Sequence, residues 1–335
     1  MPALSRPQPR TFVAGVAGAW LLAGVAVGDV LPEHSGGPFN ELFGFPHSAD
    51  GSGRLEAGDY DIDLLVVSAS HNIDEQRGTE YLVLDGESTR LDLAYRYGVG
   101  NRLQLGITLP YVWHHSGNLD AVIDGWHDFF GLPGGPREER PHDVLDLRYA
   151  DAGDTLVALN RNVRGPGDVR LHAGWQLAAG DASRTMLRIG VKLPTGDSTR
   201  LTGSGNTDLS IGIGGDAWRL AGTERFSGFY RADLVRLGTP EVLRARRRDL
   251  VGQLSAGMGF RASPTVQLRM QMRLRSAVYD SRIRNLGGVS ASFGAGAIVK
   301  LAERYRLTLG FGEDIWPDSA PDVSFHLALA YRGRP

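Results

Sequence analysis

The chain contains no cysteine, which excludes disulfides, thiolate metal sites and a lipid-modified cysteine at a mature N-terminus. Long apolar runs are nearly absent. A helical membrane span needs about 20 mostly apolar residues, and only one stretch, at the very start of the sequence, approaches that. A bundle of membrane helices is excluded. Charge of one sign is also missing: 36 lysines and arginines face 38 aspartates and glutamates, a net of −2. Nothing here calls for nucleic acid or a strongly acidic substrate.

What is present begins with an export signal. Arg6 and Arg10 form a positive start, Phe12 to Val27 an apolar core, and Ala26-Val27-Gly28 a small-residue cleavage site. Residues 1–28 are therefore expected to be a cleaved signal peptide, 29–54 an irregular Gly/Pro-rich N-terminal segment, and 55–335 the folded body. Glycine is abundant, 45 residues, which suits turns and curved sheets better than helices.

From Asp59 onward, apolar residues recur at every second position. Tyr60, Ile62, Leu64 and Val66 alternate with aspartates, and Leu91, Leu93, Tyr95 and Tyr97 with Arg90, Asp92 and Arg96. The pattern is most polarised where Val266, Leu268, Met270, Met272 and Leu274 interleave with Gln267, Arg269, Gln271, Arg273 and Arg275. About twelve such strands can be marked, the last holding Phe325, Leu327, Leu329 and Tyr331. Many reach the roughly ten residues a tilted strand needs to cross a bilayer. Tight turns at 98–101, 180–183, 221–224, 262–264 and 302–304 alternate with longer polar links around 73–78, 114–165, 195–205, 238–248, 280–286 and 314–321. Short turns on one side and long loops on the other are the habit of outer-membrane barrels. Tyr97, Tyr111, Trp113, Trp175, Trp218, Trp316 and Tyr331 stand near strand ends, where interfacial aromatics belong.

The fold expected is thus all-β: a closed antiparallel transmembrane barrel of about 12 strands, located in the bacterial outer membrane, with one short amphipathic helix in a long outer loop. Hydrocarbon satisfies no backbone group, so such a sheet must close on itself. Apolar residues then face lipid, and the alternate set lines the lumen: Asp61, Asp63, Asp92, Arg96, Arg170, Arg188, Lys192, Arg231, Asp233, Arg269 and Arg273. An open water-filled channel and an ionic plug both fit this charge pattern.

The link 114–165 is the most distinctive stretch. His114 and His115 precede a helix-like pattern in which Leu119, Val122, Ile123, Trp126, Phe129 and Phe130 share one face, with Asp120, Asp124 and His127 on or near the other. Asp124 and His127 are helical neighbours and could share a cation. A helix laid on the barrel mouth or in the outer leaflet explains the same spacing without a metal, and no metal or other cofactor is assigned. His114-x-Ser116 resembles the His/Ser pair of outer-membrane phospholipase A, but Trp113 continues the lipid-facing series, so this pair has the wrong parity and an enzyme is not expected. The glycine-rich 193–208 stretch lacks the lysine and following helix of a phosphate loop. Arg244, Arg246, Arg247 and Arg248 cluster in an expected outer loop, where guanidinium groups suit lipopolysaccharide phosphates.

The run His114–Gly117, Leu119-Asp120, Ile123-Asp124, Trp126-His127 and Phe130–Pro133, preceded by Leu109–Trp113, resembles the signature of a bacterial outer-membrane family catalogued as domain of unknown function 3187 (DUF3187). Gly165–Asp168, the 193–208 stretch, Pro38-Phe39 and Phe43–Pro46 also look like that family. The Leu-Pro-Thr-Gly-Asp element at 193–197 is similar to one in barrels linked to aromatic-compound pathways. The resemblance implies location and barrel fold, and it brings no substrate and no catalytic residues. The last strand resembles the C-terminal signal read by the barrel-assembly machinery, although Arg332–Pro335 follow its aromatic. The functional expectation is a passive channel or small-molecule transporter, with a closed structural barrel as the alternative. The partners expected are outer-membrane lipids, lipopolysaccharide and, during biogenesis, that assembly machinery.

Overall fold

The computed structural model describes residue 31 and residues 37–46, 55–117, 144–220, 222–316 and 323–334. The expected signal peptide and the expected loop helix, with Asp120, Asp124, Trp126 and His127, lie outside the described residues.

Twelve strands form the wall: β1 (Tyr60–Arg77), β2 (Glu80–Val99), β3 (Leu103–His115), β7 (Arg170–Ala179), β8 (Ser183–Lys192), β9 (Asp208–Ala217), β10 (Phe226–Arg236), β11 (Leu250–Arg261), β12 (Val266–Arg275), β13 (Ser290–Lys300), β14 (Tyr305–Asp314) and β15 (Val323–Gly333). Each pairs antiparallel with its neighbours, and β1 pairs with β15 from Tyr60↔Gly333 to Ser70↔Val323. The ring of twelve strands closes on itself. That closure is what a hydrocarbon solvent demands, because an unpaired N–H or C=O there costs several kcal/mol. Three further strands, β4 (Asp146–Asp151), β5 (Asp154–Leu159) and β6 (Val163–Pro166), add to the outer ends of β2 and β3.

The alternating apolar series faces outward. Leu64, Leu93, Leu109, Ile189, Ile211, Leu254, Met270 and Leu327 are all exposed, an arrangement that water would penalise and lipid tails would not. Aromatics border this belt: Tyr60, Tyr331 and Tyr305 cluster at the closing seam with ring centroids 6.1 and 5.1 Å apart. Trp113 stands exposed near the end of β3.

One connection differs from its sequence reading. The link expected around 73–78 is a two-residue turn, Gly78-Thr79, joining strands of 18 and 20 residues. Gly78, at φ +63°, takes the positive dihedral that such a hairpin turn requires at its first central position. Alternation failed to show these outer ends because polarity inverts along them. On β2 the inward side chains are Leu82 and Leu84 near the turn, but Arg90, Asp92 and Arg96 farther down. Near the turn the barrel stands in water and keeps an apolar interior; lower down the apolar side faces out.

Met270 sits mid-strand on β12, 57% exposed and facing away from the lumen. Met270→Arg is expected to lower folding stability by about 2–4 kcal/mol, the cost of a cation at the bilayer midplane of such barrels. Reversible denaturant unfolding in lipid vesicles measures it, and an unchanged midpoint would contradict the face assignment.

Candidate functional site

The lumen is occupied by the chain's own N-terminal segment. Residues 37–46 lie inside the outer half of the barrel, almost entirely buried. Their phenylalanines carry the anchor: Phe39 and Phe43 join Leu42, Leu82, Leu84, Tyr149, Val235, Tyr279, Ile283 and Leu286 in one apolar cluster. The Phe43 and Tyr279 rings meet edge to face at 5.7 Å. The Tyr279 hydroxyl donates to the Phe39 carbonyl at 3.0 Å, and burial pushes its pKa up, so it remains a donor at any ordinary pH.

Polar contacts tie the rest of the segment to the wall. Asn40 Nδ2 donates to the Asn285 carbonyl at 2.9 Å, and the Gly44 amide to Asp208 Oδ2 at 2.9 Å. Below, the Gln271 amide and the Leu31 backbone exchange two bonds of 2.8 Å. The Leu55 amide reaches Gln104 Oε1 at 3.2 Å near the turn end. The Arg275 guanidinium lies 5.2 Å from the Phe45 ring centroid. Two cavities of about 20 Å³ remain beside the segment, each the size of one water.

Beside Gly44 lies a buried knot built from three glycine-rich stretches. Lys192, 3% exposed, places its ammonium 2.5 Å from Asp168 Oδ2, 2.5 Å from Ser204 Oγ, 2.8 Å from the Asn206 carbonyl and 3.3 Å from Asp208 Oδ2. Asp168 also accepts the Gly196 and Ser204 amides, and Asp208 the Gly238 and Gly44 amides. The 193–208 stretch is therefore a loop latched inward rather than a solvated rim. A Cβ at Gly44 would sit 3.0 Å from that of Lys192 and 3.1 Å from that of Asp208, so only glycine lets the plug approach this closely.

The lumen-facing residues expected from the sequence are buried or half-buried in the interior, and several of them form ion pairs. Asp61 accepts Arg96 at 2.6 Å and Arg332 at 2.7 and 2.8 Å, and Asp63 stands 3.7 Å from Arg96. Asp92 is shared by Arg90 at 2.8 Å and Arg170 at 2.9 Å, and Arg231 meets Asp233 at 2.8 Å. Arg188, Arg269 and Arg273 are buried in the same interior. Sequence reasoning passed over Arg90, Asp168, Asp208, Gln271 and Arg275. Of these, Arg90, Gln271 and Arg275 were visible in the alternation, whereas the two aspartates matter only through contacts distant in sequence.

His114 faces inward within a chain of hydrogen bonds: Ser88 Oγ lies 3.0 Å from His71 Nε2 and 2.8 Å from His114 Nδ1, and His114 Nε2 lies 3.0 Å from the Leu201 carbonyl. That last contact requires a proton on His114 Nε2, leaving Nδ1 to accept from the serine. His115 is on the opposite face, 3.0 Å from Thr89 Oγ1 and against the Trp113 ring. Ser116 lies beyond the end of β3, so the His/Ser pair is not assembled. The arginine cluster is mostly absorbed in tying loops together. Arg246 binds Asp151 at 2.5 Å and Glu80 at 3.3 Å; Arg247 binds Asp249; Arg248 binds the Tyr279 carbonyl at 3.2 Å and Asp280 at 3.4 Å. Arg244 is exposed and lines an outer groove of about 510 Å³ with Leu156, Glu241 and Asp280. No group of three His, Asp or Glu residues able to hold a metal occurs among the described residues.

With this geometry in view, the family model described as "Protein of unknown function (DUF3187)" matches residues 17–332. The chain belongs to that family. Of the stretches that carried its resemblance, Pro38-Phe39 and Phe43–Pro46 lie in the plug and Gly165–Asp168 and 193–208 in the knot beside it, whereas residues 118–133 lie outside the described residues. Among solved structures, the chain is similar to the COG4313 outer membrane channel from Pseudomonas putida F1, at 14% identity and a TM-score of 0.56, over 83% of this chain and 97% of that one. It is also similar to the NanC porin, at 10% identity and a TM-score of 0.45, over 81% and 98%. A third is the toluene transporter TbuX of Ralstonia pickettii, at 12% and 0.39, over 90% and 98%. No curated protein matches. At these identities the likeness concerns the fold, a closed outer-membrane-type barrel of twelve strands.

Lys192→Met is expected to cost about 3–5 kcal/mol, because it leaves Asp168 and Asp208 buried without their cation. Adding Asp168→Asn to the same chain should recover part of that loss. Unfolding midpoints of the single and double variants measure the coupling, and additive losses would show that the knot is not one electrostatic unit.

Proposed function

We propose that this protein resides in the outer membrane and passes small solutes when its internal segment is displaced: a plugged channel rather than an open pore. The carrying observation is how the lumen is filled. Side chains alone suffice for barrels of about eight strands. This twelve-stranded barrel leaves β13 and β14 with inward Gly294, Gly296, Gly310 and Gly312, and fills the space with a segment of the same chain held there by hydrogen bonds and apolar contacts. A barrel meant only as a wall gains nothing from an interior that needs separate filling.

Energetics favour the shut state. Each plug hydrogen bond contributes about 0.5–1.5 kcal/mol net, and each buried phenylalanine or leucine about 1.5–3 kcal/mol. Opening is therefore rare without a ligand that binds the open state better. The closed structural barrel remains the second reading, favoured by the small size of the residual lumen cavities. Catalysis is not proposed. Lipid would contact the outward belt, lipopolysaccharide phosphates would meet Arg244, and the barrel-assembly machinery would read the last strand after removal of the export signal.

The absence of native cysteine allows a direct test. Asn40 and Asn285 touch, their side-chain amides 3.3 Å apart, so Asn40→Cys with Asn285→Cys can be bridged by a short disulfide-containing bis-maleimide linker that locks the plug. In planar bilayers the unbridged pair should show brief, sparse openings, bridging should abolish them, and reductant, which cleaves the linker, should restore them. Phe43→Ala, which weakens the apolar anchor, should raise the open fraction severalfold. Silence of the Phe43→Ala protein after verified insertion would favour the structural reading instead.

A further inference from the structure

The knot beside Gly44 presses an amine against two carboxyls where water is excluded. The side chains of Lys192, Asp168 and Asp208 are 2%, 5% and 1% exposed. Asp168 comes from the link between β6 and β7, Lys192 from the end of β8 and Asp208 from the start of β9. The 193–208 stretch closes over them so tightly that a Cβ at Gly203 would collide with Asp168 Oδ1. No disulfide can fasten this stretch, because the chain has no cysteine.

Three features go beyond what a single ion pair requires. Both oxygens of Asp168 accept backbone amides, Oδ1 from Gly196 at 2.8 Å and Oδ2 from Ser204 at 2.9 Å. Such donors draw electrons from the carboxyl carbon and stabilise negative charge developing on its oxygen. A second carboxyl, Asp208 Oδ2, stands 3.3 Å from the same Lys192 nitrogen, where it can take up protons and return them. Burial, finally, raises the cost of keeping the groups charged. Lysine amines and carboxyls condense slowly in water, but groups held in contact within one fold act at effective concentrations of about 10⁵–10⁸ M.

We propose that Lys192 and Asp168 condense into an isopeptide bond, with Asp208 relaying the protons. The ion pair described above is the state from which the bond forms. Asp208 takes a proton from the ammonium, and the freed Nζ lone pair attacks Asp168 Cγ. The Nζ–Cγ bond forms, and the Gly196 amide holds the charge that gathers on Oδ1. The Cγ–Oδ2 bond then breaks, and Oδ2 departs as water with two of the three ammonium protons, passed through Asp208. Ammonium and carboxylate thus become one amide and one water, with no oxidant and no net proton consumed. The product joins residues 168 and 192 covalently beside the seat of Gly44, so the plug docks against a fixed wall. This goes beyond the transport reading and does not depend on it.

Peptide mapping of the full protein, extracted from membranes and then denatured, tests the bond. Trypsin does not cut at an acylated lysine. The linked protein should therefore release Gly165–Arg170 joined to Ile189–Arg200, one water lighter than the two peptides together. Release of Gly165–Arg170, Ile189–Lys192 and Leu193–Arg200 as three separate peptides would reduce the knot to an ion pair and overturn the proposal. Asp208→Asn keeps the amine and Asp168 but lacks the relay, so its link should form about a hundredfold more slowly after refolding. Asp208→Glu, which keeps a carboxyl, should restore the link. Unchanged heat-modifiable migration in gels shows that Asp208→Asn is folded, and Asp208→Ser serves if it is not. A link that forms at the wild-type rate without the Asp208 carboxyl, or one made through Asp208 itself, would overturn the assigned roles.

Discussion

The structure depends on one constraint: a backbone amide that meets hydrocarbon must find its hydrogen bond within the sheet. A strand cannot satisfy itself as a helix does, so the wall must return to its own beginning, and β15 lies against β1 over eleven paired positions. Closure then divides each strand into a face for lipid and a face for whatever the ring encloses. The ring's size follows from strand number. At twelve strands it encloses more room than the inward side chains fill, and the N-terminal segment is the consequence.

That segment explains why charges can be buried so densely. An interior of arginines and aspartates shut away from water would be costly if any were left without company. Here Asp61 and Asp92 each serve two arginines, and Lys192 is enclosed by oxygens from two stretches of chain. The plug contributes the Gly44 amide to Asp208, the Phe39 carbonyl to Tyr279, the Asn40 side-chain amide to the Asn285 carbonyl, and an aromatic ring to Arg275. Removing it would strip partners from the wall as much as from itself. Wall and plug are therefore one cooperative unit, held apart from the solvent on either side.

Much of the wall was legible in the sequence because its cause is local. Alternation such as that of Val266 to Arg275 records which solvent each face meets, and it needs no knowledge of the partner strand. The knot left no comparable trace: Asp168, Lys192 and Asp208 are separated by dozens of residues, and the glycines around them read as ordinary turns. The plug was legible only as a Gly/Pro-rich stretch, although three phenylalanines at 39, 43 and 45 without strand periodicity are more than a solvated linker needs. The arginines at 244–248 looked like a patch for an external anion, yet three of them are occupied by Asp151 at the end of β4, Asp249 of the same loop and Asp280 of the next one. Local charge density does not reveal whether a partner is already present within the fold.

The inversion along β2 shows how two solvents shape one strand. Side chains of the same parity change from leucine at 82 and 84 to charged residues at 90, 92 and 96, while their outward neighbours change in the opposite sense from Asp85 to Leu91 and Leu93. Above the change the barrel obeys the rule of a soluble protein, apolar inside; below it, the rule of a membrane wall. Phe39, Leu42 and Phe43 belong to the upper regime, where they complete an apolar core with residues of β1, β2, β4 and the loop at 278–286. Glu41 and Gly44 belong to the lower one. The plug thus crosses the same boundary as the strand beside it. Moving it would expose apolar surface at the outer mouth and unpair charge in the lumen, so in the plugged channel proposed above the outer loops and the lumen would share a single opening equilibrium.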